Sequence, residues 1–229
     1  MSEKKKKEAS QKKWTKVGLI VLAILFVVVM VVSSMGTGWI TGLAPVSPGD
    51  KVVIDFTIYD TAGNPLVTTN QPLYEQTAKA GKGIMYAKQL TLTANQSLNT
   101  DIFPVPVYTA GSNGGSWNQF ALFSPEYAAI TQGLVGMRTS EKKNIVFNAT
   151  MSMSKLYTPA DLPVNTTVDS YHVGDVLTMG LSTNPNATVS SSADISYRIG
   201  EVTRVSPAGV IVNFGYPRAD ITIVSITKG

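Results

Sequence analysis

The sequence predicts one N-terminal transmembrane helix followed by a mainly β, α+β region. Three observations carry this: an uncharged apolar run from 17 to 40, apolar/polar alternation in many later segments, and Pro, Gly, Asn and Asp turn signals between those segments. With 229 residues, 44% hydrophobic and 15% charged, the chain is long enough for one or two domains with real cores.

The apolar run reads VGLIVLAILFVVVMVVSS from Val17 to Ser34 and continues without a charge to Ile40. About 20 apolar residues cross a bilayer core at a rise of about 1.5 Å each. Trp14 and Trp39 fall near its ends, where an indole buries its ring and keeps its N–H wet. A cleaved secretory signal shares the basic start, but its apolar core is shorter, about 7 to 15 residues, and it ends in a small-x-small site that is not evident here. An archaeal-type pilin helix would usually carry a Glu just inside the run, and Gly18 to Ser33 has none. A retained single-pass anchor into the lipid bilayer is therefore the expected reading, with the N-terminus cytoplasmic and the C-terminal bulk outside the cell.

The net charge of +4 is misleading about partners. Of 19 Lys+Arg and 15 Asp+Glu, seven lysines and two glutamates lie in the first sixteen residues. The remaining twelve and thirteen give −1, with no basic excess for a phosphate backbone, so nucleic acid is not an expected partner. The chain has no cysteine and one histidine, His172. Disulfides, thiolate catalysis and Cys-ligated metals are excluded, and a Ser-His-Asp triad or a multi-His metal site is hard to build. No cofactor or metal is expected. Four Asn-x-Ser/Thr sequons, at Asn95, Asn148, Asn165 and Asn186, follow the apolar run and give modest support to export.

The later elements follow in order. Residues 41 to 49 (TGLAPVSPG) read as a linker, and Lys51 to Tyr59 alternates as a strand. Asp60-Thr-Ala-Gly-Asn-Pro65 is a turn, and Leu66 to Thr69 its hairpin return. Residues 71 to 119 hold candidate strands at Gln89–Thr93 and Pro104–Tyr108, then a flexible run at Gly111–Gly115. Pro125 to Val135 is the best helix candidate, with Ser124 as N-cap, Pro125 in the first turn, Glu126 at the positive dipole end and Gly136 as its stop. Further strands are expected at Lys143–Ser152, Val176–Met179, Ala193–Val205, Val210–Phe214 and Ile221–Ile226.

Three stretches, in order, resemble FKBP-type peptidyl-prolyl isomerases, in particular the archaeal and SlyD-type branch with an inserted chaperone domain. Gly49 to Leu66 resembles the opening hairpin, and Ala129 to Lys143, with Leu-Val-Gly-Met and Glu-Lys-Lys, resembles the helix and turn. Gly200 to Ala219 is similar to the end of the inserted domain and leads into a last strand. Charge, hydropathy and turn residues divide the N-terminal part into a basic tail at 1–16, a membrane helix at 17–40 and a linker at 41–49. The resemblance implies an FKBP-like domain at 50–156 plus 218–229 with an extra insertion at 71–119, and an inserted β-rich, chaperone-like domain at 157–217.

The isomerase pocket of that family is an apolar, aromatic bowl that needs no nucleophile or metal. It desolvates and twists an X–Pro amide, whose rotation barrier of about 18–20 kcal/mol comes from partial double-bond character. By resemblance the pocket would use Phe56, Leu66, Val67, Phe120, Ile130 and Met153. Leu66 stands where the family often has Phe, and Val67 where it has an Asp. Ile130 replaces a floor aromatic, and Met153 lies near the position of a tyrosine donor. Core packing is the competing reading for these apolar residues.

Two functions follow as expectations. One is an anchored isomerase and folding helper acting on unfolded or proline-containing polypeptides outside the membrane. The other is a non-catalytic binding or structural module that keeps the fold.

Overall fold

The computed structural model describes residues 18–31, 33, 44–110, 114–148, 153–163, 166–182, 184 and 195–229. The chain divides into two compact units, residues 1–44 and 45–229.

The transmembrane helix expected over 17–40 is not found. Among the described residues no helix is long and apolar enough to cross a membrane. Helix is assigned at 18–31 and again at 33, while 17, 32 and 34–40 of the expected span lie outside the described residues. The basic tail and residues 34–43 lie outside the described residues.

Residues 45–229 are mainly β. Twelve strands belong to one sheet: β1 Lys51–Tyr59, β2 Pro65–Thr68, β3 Met85–Ala87, β4 Leu90–Thr93, β5 Ile102–Thr109, β6 Ser116–Phe123, β7 Lys142–Val146, β8 Ser154–Tyr157, β9 Val176–Leu181, β10 Ser196–Ser206, β11 Gly209–Asn213 and β12 Arg218–Thr227. Ten run in the order β7-β12-β1-β2-β3-β5-β6-β10-β11-β8, while β4 pairs with β1 and β9 with β10.

Strand β1 organises the main core. One edge pairs antiparallel with β12 along its length, and the other is shared by β4 at Lys51–Ile54 and β2 at Thr57–Tyr59. Its alternation buries Val52, Ile54, Phe56 and Ile58 on one face. The hairpin turn is closed by Asp60, whose carboxylate accepts from the Asn64 backbone N–H at 2.7 Å.

Two helices flank the sheet in this unit, α1 Gln71–Lys79 and α2 Ser124–Leu134. Helix α1 is not among the sequence-based expectations: its sequence is polar on average, and its inward face, Leu73, Tyr74, Thr77 and Ala78, is short, with only Thr77 buried. Its start signal was nonetheless present, since the Asn70 side chain accepts from the Leu73 N–H at 3.0 Å and Pro72 sits in the first turn. Helix α2 matches the predicted helix with a shift of one residue at each end: Ser124 is helical with Phe123 as the cap residue, and Val135 is an extended C-cap. Glu126 reaches back to the Phe123 N–H at 3.0 Å. Gly136, at φ 85°, follows the helix, and its N–H donates to Val46.

Three further strands, β3, β6 and β8, fall outside the expected set. Of the strand expected over Lys143–Ser152, β7 covers the part to Val146, Phe147 and Asn148 lie outside any strand, and 149–152 lie outside the described residues.

Two apolar clusters result. The larger draws on β1 to β7, α2 and β12, and it includes Met85, Ala87, Leu90, Leu92, Val105 and Val107 from the 71–119 stretch. The smaller gathers Val202, Val210, Val212 and Phe214, with Met153, Tyr157, Leu177 and Met179 against it.

The two ends of the unit are tied together at Asp50. Its carboxylate accepts from Lys228 Nζ at 2.8 Å, the Ser47 N–H at 2.7 Å and the Gly229 N–H at 3.3 Å. The Lys228 hydrogen bond first, then the Ser47 N–H, holds the carboxyl below its ordinary range. A depressed folded pKa stabilises above the unfolded value of about 3.9 and loses that contribution as pH falls through the folded one. Asp50→Asn is therefore expected to lower the urea midpoint at neutral pH, with the gap to wild type closing below about pH 4. A gap independent of pH would show that the charge of Asp50 contributes nothing.

Candidate functional site

Strand β10 alternates inward and outward, and Ser196, Arg198, Gly200 and Val202 take the buried positions. This puts a guanidinium, fully buried, between the two apolar clusters. An Arg at an inward strand position must find partners for five N–H groups or lose several kcal/mol of solvation. Here all five are used. Nε and Nη2 donate to the Phe214 carbonyl at 2.9 and 2.6 Å, and Nη1 donates to the Ala121 carbonyl at 2.7 Å. The Glu126 carboxylate accepts from Nη1 and Nη2 at 2.9 and 2.5 Å. The guanidinium carbon lies 3.8 Å from the ring centroid of Tyr216 and 4.3 Å from that of Phe123. Arg198 thus joins β6, α2, β10 and the segment 213–216 at one point.

That segment separates two cavities. The first, of about 640 Å³, is walled by the β1–β2 turn, Leu66, the Lys82–Gly83 loop, Gly174 and Val176, Ile199 to Glu201, and the Asn213–Tyr216 segment. Its apolar surface comes from Leu66, Val176, Ile199 and the ring of Tyr216. The Tyr216 hydroxyl is already committed, donating to the Ile199 carbonyl at 2.8 Å. Burial first of all pushes its pKa up to about 12, so it stays protonated at any physiological pH. Polar groups sit at the turn: the Asp60 carboxylate also accepts from Asn64 Nδ2 at 3.1 Å, the Thr61 hydroxyl donates to Glu201, and Lys82 Nζ donates to Asn64 Oδ1 at 3.2 Å.

The second cavity, of about 470 Å³, is lined by Met153, Tyr157, Met179, Leu181, Phe123 and Phe214, with Asp101 and Lys155 among its polar groups. Burial, and then the nearby Asp161 charge, raises the Tyr157 pKa.

The six positions named by resemblance do not share one cleft. Phe56, Val67, Phe120 and Ile130 are 0 to 3% exposed and belong to the main core. Phe120 stacks on Tyr216 with centroids 6.0 Å apart. Leu66 faces the first cavity and Met153 the second. Of the residues that complete the first cavity, the sequence marks Asp60, Ile199 and Glu201 only as turn or strand residues and Tyr216 only as part of the stretch Gly200 to Ala219. The strand alternation that puts Arg198 inward was the available signal for the polar hub.

The first cavity therefore offers apolar contact and carboxylates, without an imidazole or an activated nucleophile. His172 is exposed, beside Asp175. Among the described residues no three His, Asp or Glu come together as a metal site. No protein-family model matches the chain, and no curated protein matches it significantly.

Proposed function

We propose that residues 45–229 form a polypeptide-binding module, built on an FKBP-like scaffold, that holds extended segments of unfolded or proline-containing chains. The observation that carries this reading is the first cavity, whose volume of about 640 Å³ lies in the range of ordinary ligand sites. Gly83 and Gly174 on its walls, where a Cβ would meet nothing within 4 Å, leave room for a backbone to approach. The family reading is supported by the order of the three resembling stretches, and by the adjacency in one sheet of β1, which lies in the first, with β7 and β12, which begin at the ends of the other two. The exposed positions of Asn95 and Asn148 support placing the module outside the cell; Asn165 and Asn186 lie outside the described residues.

A second reading, prolyl isomerisation, is favoured by one contact: Leu66 shares the first cavity with the Tyr216 ring, an apolar setting in which an X–Pro amide would lose solvation. The packing of Phe56, Val67, Phe120 and Ile130 within the core favours binding without catalysis.

Both readings meet in one pair of assays on the full chain. Binding of a fluorescent, permanently unfolded reporter polypeptide is expected, together with no acceleration in a protease-coupled prolyl isomerisation assay. Failure to bind the reporter would sink the binding proposal, and acceleration would move the protein to the catalytic reading.

A further inference from the structure

The first cavity has an uneven charge distribution, and this says which polypeptide segments fit it. Two half-buried carboxylates, Asp60 and Glu201, lie on its wall against one exposed ammonium, Lys82. Lys82 is turned toward Asn64, to which it donates at 3.2 Å. Among the described residues it has no carboxylate partner. Thr61 occupies one oxygen of Glu201, and the other oxygen has no hydrogen bond among the described residues. Charges at a half-buried wall interact more strongly than in bulk water, because the local dielectric response is weaker.

We propose that the cavity selects extended polypeptide segments in which an apolar residue is followed closely by Lys or Arg. The apolar side chain packs on Leu66, Val176, Ile199 and the Tyr216 ring, while the cationic side chain pairs with Glu201, with Asp60 adding to the field. The rule deepens the polypeptide-binding reading and rests on it. Tyr216 contributes shape only, since its hydroxyl is held by Ile199.

Gly83 supplies a clean way to block the site. A Cβ built on it meets nothing within 4 Å, so a larger side chain there enters open space beside the cavity rather than the core. The test uses the full chain and three fluorescein-labelled peptides of one length, each with the same central apolar pair followed by Lys, Gln or Glu.

At low salt the Lys peptide is expected to bind about ten-fold more tightly than the Glu peptide, with the gap shrinking as salt is raised. Glu201→Gln should bring the Lys and Gln peptides together, and Lys82→Ala should tighten the Lys peptide further. Gly83→Phe should abolish binding of all three while leaving the melting temperature unchanged.

Equal affinities for the three peptides, or a preference that survives Glu201→Gln, would overturn the charge rule and leave polypeptide binding standing. Undiminished binding by a folded Gly83→Phe variant would overturn the assignment to this cavity. Failure of all three peptides and of the unfolded reporter would instead sink the underlying reading.

Discussion

Arg198→Met is expected to lower the unfolding free energy by about 3–5 kcal/mol, the usual loss when one partner of a buried ion pair is removed. The Glu126 carboxylate would be left 1% exposed and without its guanidinium, and the Ala121 and Phe214 carbonyls would lose their side-chain donors. Arg198→Lys should recover little, because an ammonium cannot make the two-point contact to Glu126 and reach Phe214 and Ala121 as well. Adding Glu126→Gln to Arg198→Met removes the stranded charge and should restore part of the loss. The four proteins form a double-mutant cycle read by urea denaturation. A loss below about 1 kcal/mol for Arg198→Met would mean that water reaches the site and that the pair is not dry.

The functional consequence of that pair lies in its carbonyl partner. Arg198 holds Phe214, which faces the second cavity, and stacks on Tyr216, which faces the first. A buried pair replaced by well-packed apolar residues is often no less stable, so its net contribution to stability is a weak explanation for its presence. Its geometry instead keeps the 213–216 segment, and with it one wall of each cavity, in a single conformation.

Phe56→Ala carries the second large effect, about 3–5 kcal/mol of lost stability, as for other truncations of buried aromatic residues. Phe56 is 3% exposed in the main core, between Val52, Ile54 and Ile58 of the same buried strand. Peptide affinity of the molecules that remain folded should not change, because Phe56 does not line either cavity described above. Denaturation combined with peptide titration below the melting temperature separates the two effects. If affinity falls while stability holds, Phe56 belongs to a binding surface and the packing account is wrong.

The strands of this protein were largely legible because period-two alternation is a local property. Lys51–Tyr59, Ser196–Ser206 and Arg218–Thr227 each show it in their burial. Helix α2 was legible for a similar reason: Pro125 and Glu126 act on the first turn through backbone geometry and one short hydrogen bond. Helix α1 was not, since Asn70 and Pro72 mark a start but its nine mostly polar residues carry only a short face of Leu73, Tyr74, Thr77 and Ala78.

What the sequence by itself determined, then, were the alternating strands, the β1–β2 hairpin, the end signals of α2 and the absence of thiol chemistry. Tertiary structure decided the rest. Apolar composition over 17–40 predicted a membrane span, and among the described residues no helix is long and apolar enough to make one. The polar hub and the first cavity arise from residues far apart in the chain: Thr61 meets Glu201, and Glu126 meets Arg198, only after β10 is laid beside β6. Motif matching placed Phe56, Val67, Phe120 and Ile130 at a pocket because apolar residues suit a pocket and a core equally well. Which of the two they occupy depends on what packs against them, and that is a property of the assembled sheet.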